Sequence, residues 1–176
     1  MSLQDALQAR KASLNTVTRD QQHIVDEFSS YFDLIDCGLE QGAHQLYLGA
    51  LGATTELQSL TSANIKTIIS ITEADVRKHE GIVYHKYDLP DTREAQLLRH
   101  WPEICAKIDA GLAIGSVLVH CNMGVSRSGA TVIAYVAQRL GLSRQEALAK
   151  VRACRSCVRP NEGFLDQLFT WCSKPE

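Results

Sequence analysis

The chain of 176 residues has no apolar stretch long enough to cross a bilayer, so no membrane span is expected. Met1-Ser2-Leu3-Gln4-Asp5-Ala6 carries an early acid and no apolar core, which excludes a secretory signal in this segment. Ser2 stands where N-myristoylation requires glycine. There is no basic excess either: 18 Lys and Arg face 20 Asp and Glu, for a net charge of −2. General affinity for nucleic acid or an anionic membrane surface is therefore not expected. Internal repeats, low-complexity tracts and a linker to a second domain are also missing. The expectation is a cytoplasmic protein whose length suits a single domain with a sizeable core.

Six cysteines are present, Cys37, Cys105, Cys121, Cys154, Cys157 and Cys172. Without a secretory signal they do not argue for a disulfide scaffold. Cys154-Arg155-Ser156-Cys157 is a lone pair with no second cysteine or histidine pair at zinc-finger spacing, so no metal is expected. Cys154 and Cys157 read as helix-end or loop residues.

Against these absences stands one dense run, His120-Cys121-Asn122-Met123-Gly124-Val125-Ser126-Arg127-Ser128. The apolar Val117-Leu118-Val119 before it reads as a buried strand, and Ala130–Ala137 after it as a helix. A loop between a strand end and a helix N-terminus aims backbone N–H groups at one point, a geometry that binds a phosphate-like dianion. A cysteine attacks phosphorus only as thiolate, and the helix start, the loop N–H groups and Arg127 each act to lower the pKa of Cys121. Arg127, near the helix start, presents a planar fork able to hold two phosphate oxygens. Gly124 lets the chain turn tightly and keeps a side chain out of the cradle. Ser128 is placed to donate to the sulfur, and His120 to brace the loop through a partner that sequence does not reveal. A lone buried Cys is usually a small hydrophobe and a lone Arg usually solvated. The joint spacing, however, arises by chance on the order of once in ten thousand chains of this size or less.

The surrounding pattern alternates strands and helices. Strands are expected over Gln45–Ala50, Ile65–Ile71, Ile82–Tyr87 and Ser116–His120, and helices over Thr55–Ala63, Ser126–Leu140 and from Ser143 to about Ala153. A further helix carries Leu97, Leu98, Trp101, Ile104, Cys105 and Ile108 and ends near Ala110. Gly141 is a C-terminal stop, and Ser143-Arg144-Gln145-Glu146 a capping box. Asn161 and Gly163 open a last helix with Phe164, Leu165, Leu168 and Trp171 on one face. The class is α/β, with a mostly parallel twisted sheet, helices on both faces and ligands at the strands' carboxyl ends. Residues 1–22 form a polar N-terminal segment, a surface helix or a flexible arm, ahead of a domain over 23–176.

His-Cys-x2-Gly-x2-Arg-Ser resembles the signature loop of cysteine-dependent protein tyrosine phosphatases. Val125-Ser126-Arg127-Ser128, with Arg159-Pro160-Asn161-x-Gly163-Phe164, resembles the dual-specificity branch, and the likeness runs from about Gln45 to Trp171. The Asp88-Leu89-Pro90-Asp91 stretch and the polar N-terminal segment resemble that branch's atypical members. The resemblance implies a single-domain protein tyrosine phosphatase-like fold, with Cys121 as nucleophile. It implies that the loop residues Asn122, Met123, Gly124, Val125, Ser126 and Arg127 hold phosphate. The substrates it implies are phosphotyrosine and phosphoserine or phosphothreonine in proteins, with MAP-kinase-pathway proteins among the targets. It also implies that Asn161 bonds the signature loop; an ordinary N-cap is the alternative for that residue.

Departure of an alkoxide or phenoxide needs a proton donor. The family draws it from an upstream loop, where Asp88 and Asp91 both lie. Asp88 follows directly on a strand and is the first choice. Asp91, with Glu94 three residues on, has a bland explanation as a helix N-cap and is the alternative. No cofactor or metal is called for, because Arg127 and the loop amides supply the positive field. The neutral side chains at Asn122, Met123, Val125 and Ser126 argue against a phosphoinositide or RNA triphosphate substrate. A rival from another class is a phosphoprotein-binding or scaffold module without turnover.

Overall fold

The computed structural model describes residues 31–40 and 43–173. The polar segment expected over residues 1–22 lies outside the described residues. Five strands form one sheet in the order β1-β2-β5-β3-β4. These are β1 (Phe32–Ile35), β2 (Leu46–Gly49), β3 (Ile65–Ile71), β4 (Val83–Tyr87) and β5 (Ser116–His120). β1 runs antiparallel to β2, and the other three pairings are parallel. Among the described residues five α-helices accompany them: α1 (Leu57–Ser62), α2 (Trp101–Leu112), α3 (Arg127–Leu140), α4 (Arg144–Cys154) and α5 (Glu162–Cys172). The expected mostly parallel α/β architecture is thus observed, with β1 as an additional edge strand.

Alternation along the central strands divides the core into two layers. Ile68 and Leu118 face a small cluster with Ala53 and with Leu60 of α1. Ile69, Ile71, Val117 and Val119 face a larger one shared with α2, α3 and α5 through residues such as Ile104, Ile133 and Phe164. α3 is buried on every face from Arg127 to Ala137, as a helix enclosed by protein must be. Its far end stops at Gly141, in the left-handed region at φ 63°, and α4 opens with the full Ser143–Glu146 capping box.

One local expectation is corrected. Asp91 does not cap a helix: α2 begins at Trp101, with Pro102 in its first turn and no side-chain cap. Proline there loses no hydrogen bond and has its φ already set, so helix entry moves to it. The intervening segment is tied to α5 instead. Asn161 Nδ2 donates to Thr92 O (3.2 Å), Gln167 Nε2 donates to Ala95 O (2.9 Å), and Leu98 N–H donates to Gln167 Oε1 (2.8 Å). Gly163 makes this contact possible, since a Cβ there would sit 2.1 Å from Arg93 O.

Trp101 joins α2, α3 and α5. It is fully buried, donates from Nε1 to Thr131 Oγ1 (3.3 Å) and meets Trp171 edge to face at 5.7 Å. Trp101→Ala is expected to lower unfolding stability by about 3–5 kcal/mol in a urea titration, because the large cavity cannot collapse. A loss below 1 kcal/mol would contradict this packing.

Candidate active site

β5 is the central strand, and its carboxyl end carries His120 into the loop that precedes α3. Cys121 is buried there, with its sulfur receiving Gly124 N–H (3.3 Å) and Ser128 Oγ–H (3.1 Å). Burial pushes the Cys121 thiol up. Hydrogen bonds from the Ser128 hydroxyl and from the N–H groups of Ser128, Val125 and Gly124 outweigh it, and the thiol lies below its ordinary value. Gly124 adopts φ 67°, and a Cβ on it would sit 2.5 Å from Gly49 O, so the turn and the close approach both require glycine.

A loop whose N–H groups serve the sulfur must bond its carbonyls elsewhere. Each one from residue 121 to 125 finds a donor. Cys121 O receives His120 Nδ1 (3.2 Å), and Asn122 O receives Leu51 N–H (3.1 Å). Met123 O and Gly124 O receive Arg155 Nη2 (3.4 Å) and Nε (3.0 Å), and Val125 O receives Arg159 N–H (3.0 Å). Because Cys121 O can only accept, the proton of the neutral His120 ring sits on Nδ1. Its Nε2 then accepts from Ser70 Oγ–H (2.7 Å), on the neighbouring strand. Ser70 is the partner that sequence could not supply.

Arg127 opens α3 with a side chain only 6% exposed. Its Nη1 donates to Leu89 O (2.8 Å). Nε is the one buried side-chain nitrogen or oxygen among the described residues without a hydrogen bond. With the nearby Asp91 carboxylate 3.7 Å away, beyond hydrogen-bond reach, this N–H is open to an anion's oxygen.

The two candidate acids occupy different settings. Asp88 follows β4, as expected, but its carboxylate is 69% exposed and pairs with Lys86 Nζ at 2.6 Å. Among the described residues no hydrogen bond joins it to the Cys121 loop. Asp91, 35% exposed, reaches the site: Oδ1 accepts from Ser126 Oγ (2.7 Å) and Asn161 Nδ2 (2.8 Å), and Oδ2 lies 3.7 Å from Arg127 Nε. Asn161 combines both roles left open for it. Its Oδ1 caps α5 through Phe164 N–H (3.0 Å), while its own N–H donates to Ser126 Oγ (3.1 Å) in the signature loop. Asn122 accepts from Thr72 Oγ1, beyond the end of β3, and Met123 stands 73% exposed at the rim.

Three supports were missed by sequence reasoning: Ser70, Thr72 and Arg155. Arg155 is buried and also bonds Asp33 of β1. An arginine in a polar run after a helix looks solvated, and nothing in its sequence setting marks it as buried. Cys154 and Cys157 fall at the end of α4 and just beyond it, as expected.

A buried cysteine in a strand–loop–helix turn, with an arginine and a carboxylate beside the same loop, is an arrangement suited to a phosphate-like anion on an α/β sheet. Comparison with known proteins carries this further. The family described as dual specificity phosphatase, catalytic domain, matches residues 46–174, and the chain belongs to that family. Human protein phosphatase Slingshot homolog 3 is 43% identical over 125 residues, covering 70% of this chain and 19% of that protein. The Drosophila melanogaster dual specificity protein phosphatase MPK-4 is 38% identical over 128 residues, covering 70% of this chain and 33% of its own length. The crystal structure of DUSP15 superposes with a TM-score of 0.70 at 34% identity, over 73% of this chain and 83% of that one. The human tyrosine phosphatase-like serine/threonine/tyrosine-interacting protein does so at 0.69 and 32%, over 72% and 89%. The chain spans 12–20% of the length of the Slingshot relatives it matches.

Burial holds the His120 ring down to about 4, so folded protein refuses a proton that the unfolded chain accepts below its ordinary 6.5. The unfolded state binds more protons in that window, and stability must fall as pH drops from 6.5 towards 4, by on the order of 3 kcal/mol. Urea unfolding across this range is expected to show the fall, with a flatter profile in His120→Asn. An unchanged slope in that variant would assign the effect elsewhere.

Proposed function

We propose that the protein is a phosphatase that removes phosphate from phosphotyrosine and from phosphoserine or phosphothreonine in proteins, through a phosphocysteine intermediate. The observation that carries this reading is the pair of donors, Gly124 N–H and Ser128 Oγ–H, bonded to the buried Cys121 sulfur. Cys121 Sγ forms a bond to phosphorus while the bond to the leaving oxygen breaks. Arg127 and the amides of residues 122–127 hold the remaining phosphoryl oxygens. The acid gives its proton to the departing oxygen. As a carboxylate it then takes a proton from water, whose oxygen attacks phosphorus as the sulfur leaves. Phosphate departs and the thiolate is restored.

Asp91 is assigned the acid in preference to Asp88. The case for Asp88 rested on its place directly after a strand and on Asp91 being committed to a helix cap; Asp88 does follow β4, but Asp91 caps no helix. Asp91 lies against Ser126 and Arg127, whereas Asp88 is engaged with Lys86. Ser128 steadies the sulfur both as nucleophile and as leaving group.

The neutral side chains at Asn122, Met123, Val125 and Ser126 favour singly phosphorylated sites on protein over phosphoinositides. MAP-kinase-pathway proteins are the proposed targets and the cytoplasm the proposed location. Among the described residues no helix is long and apolar enough to cross a membrane. Within the family the Asp88-Leu89-Pro90-Asp91 stretch and the polar N-terminal segment most resemble dual-specificity phosphatase 19. A binding module without turnover would have no use for the donors on Cys121.

Hydrolysis of an aryl phosphate by reduced, folded protein tests the activity, and Cys121→Ser is expected to bring it to background. Asp91→Asn is expected to slow turnover of phenyl phosphate by about 10²-fold or more, and far less with a good leaving group that needs no proton. Asp88→Asn should change neither by more than about threefold. The reverse pattern would return the acid to Asp88, and no turnover by the intact protein would favour the binding module.

A further inference from the structure

The Ser126 side chain joins three separate segments of the site. Its hydroxyl donates to Asp91 Oδ1 (2.7 Å) in the acid loop and accepts Asn161 N–H (3.1 Å) from the start of α5. A hydroxyl has one proton, so accepting from Asn161 N–H directs that proton to Asp91. Asn161 closes the ring from the other side, with Nδ2 donating to Asp91 Oδ1 (2.8 Å) and Thr92 O (3.2 Å). The next residue, Arg127, reaches the same loop at Leu89 O (2.8 Å). Two successive signature-loop side chains thus grip the loop that carries the carboxyl. Ser126 is buried, which shields its bonds to Asp91 and Asn161 N–H from competing water, whereas the Asn161 Nδ2 bonds lie exposed.

We propose that Ser126 and Asn161 form a latch that fixes the acid loop against the phosphate cradle, so that the proton donor is preset before substrate arrives. The latch rests on Asp91 being the acid. Ser126 is then a positioning residue as well as part of the cradle: its backbone serves the phosphate and its hydroxyl serves the carboxyl. The hydroxyl is not needed by the phosphate itself, which the loop amides and Arg127 hold. Loss of the latch therefore weakens proton transfer selectively, because a carboxyl displaced by about 1 Å loses much of its effect on the reaction.

The test compares phenyl phosphate, whose departing oxygen needs a proton, with 2,4-dinitrophenyl phosphate, whose oxygen does not. Ser126→Ala is expected to reduce kcat on phenyl phosphate about tenfold more than on the dinitrophenyl ester. Ser126→Thr, which keeps the hydroxyl, should restore the ratio. In an Asp91→Asn background Ser126→Ala should add no further selective loss. Asn161→Asp keeps the oxygen that caps α5 but removes the Nδ2–H donor, and it provides a second route to the same selective loss if Ser126→Ala folds poorly. Equal losses on both esters, or a selective loss that persists without Asp91, would overturn the latch. A lack of selectivity in Asp91→Asn itself would instead overturn the acid assignment, which separates the two failures.

Discussion

Everything at this site depends on hydrogen bonds to one sulfur. Burial alone is hostile to a thiolate, as two other cysteines of the chain show. Burial pushes Cys37 up to about 11 and Cys105 up to about 12. Cys121 is as deeply enclosed, yet it lies below its ordinary value because Gly124, Val125 and Ser128 aim donors at it. The direction of the shift is set by local donors and not by depth.

Those donors are available only because the rest of the loop is bonded outward. Arg155 takes two of its carbonyls, Leu51 and Arg159 N–H groups take two more, and His120 takes that of Cys121. These partners come from the end of α4, the turn after β2, the segment before α5 and the sheet itself. The fold therefore acts as an acceptor-binding frame around a small inward ring of N–H groups. Arg155 also meets Asp33, which ties edge strand β1 to the same frame. Outer partners of this kind orient the groups that do chemistry, as supporting residues around metal ligands do.

Much of this was legible in the sequence, and the rest was hidden for physical reasons. The four expected strands correspond to β2–β5, short runs rich in aliphatic, β-branched or aromatic residues. β1 was missed: Phe32-Asp33-Leu34-Ile35 is an edge strand with one exposed face and lacks a continuous apolar signal. The Gly141 stop and the Ser143 capping box are local rules that tertiary structure left untouched. Asp91 obeyed the same kind of rule and was misread, because Pro102 moves the helix start and α5 binds the intervening chain. Cys121, Arg127, Ser128 and Gly124 could be placed together since nine consecutive residues carry them. Ser70, Thr72 and Arg155 lie far away in sequence, and only the strand register and the return of α4 bring them to the loop.

The central claim is that the loop donors hold the Cys121 thiol below its ordinary value in spite of its burial. Titration of thiolate absorbance in the ultraviolet, taken as the difference between the intact protein and Cys121→Ser, measures this directly. A difference signal whose midpoint lies below the ordinary cysteine value of about 8.5 is the result expected here. A midpoint at or above that value would show that burial prevails over the donors, and the proposed nucleophile would be lost with it.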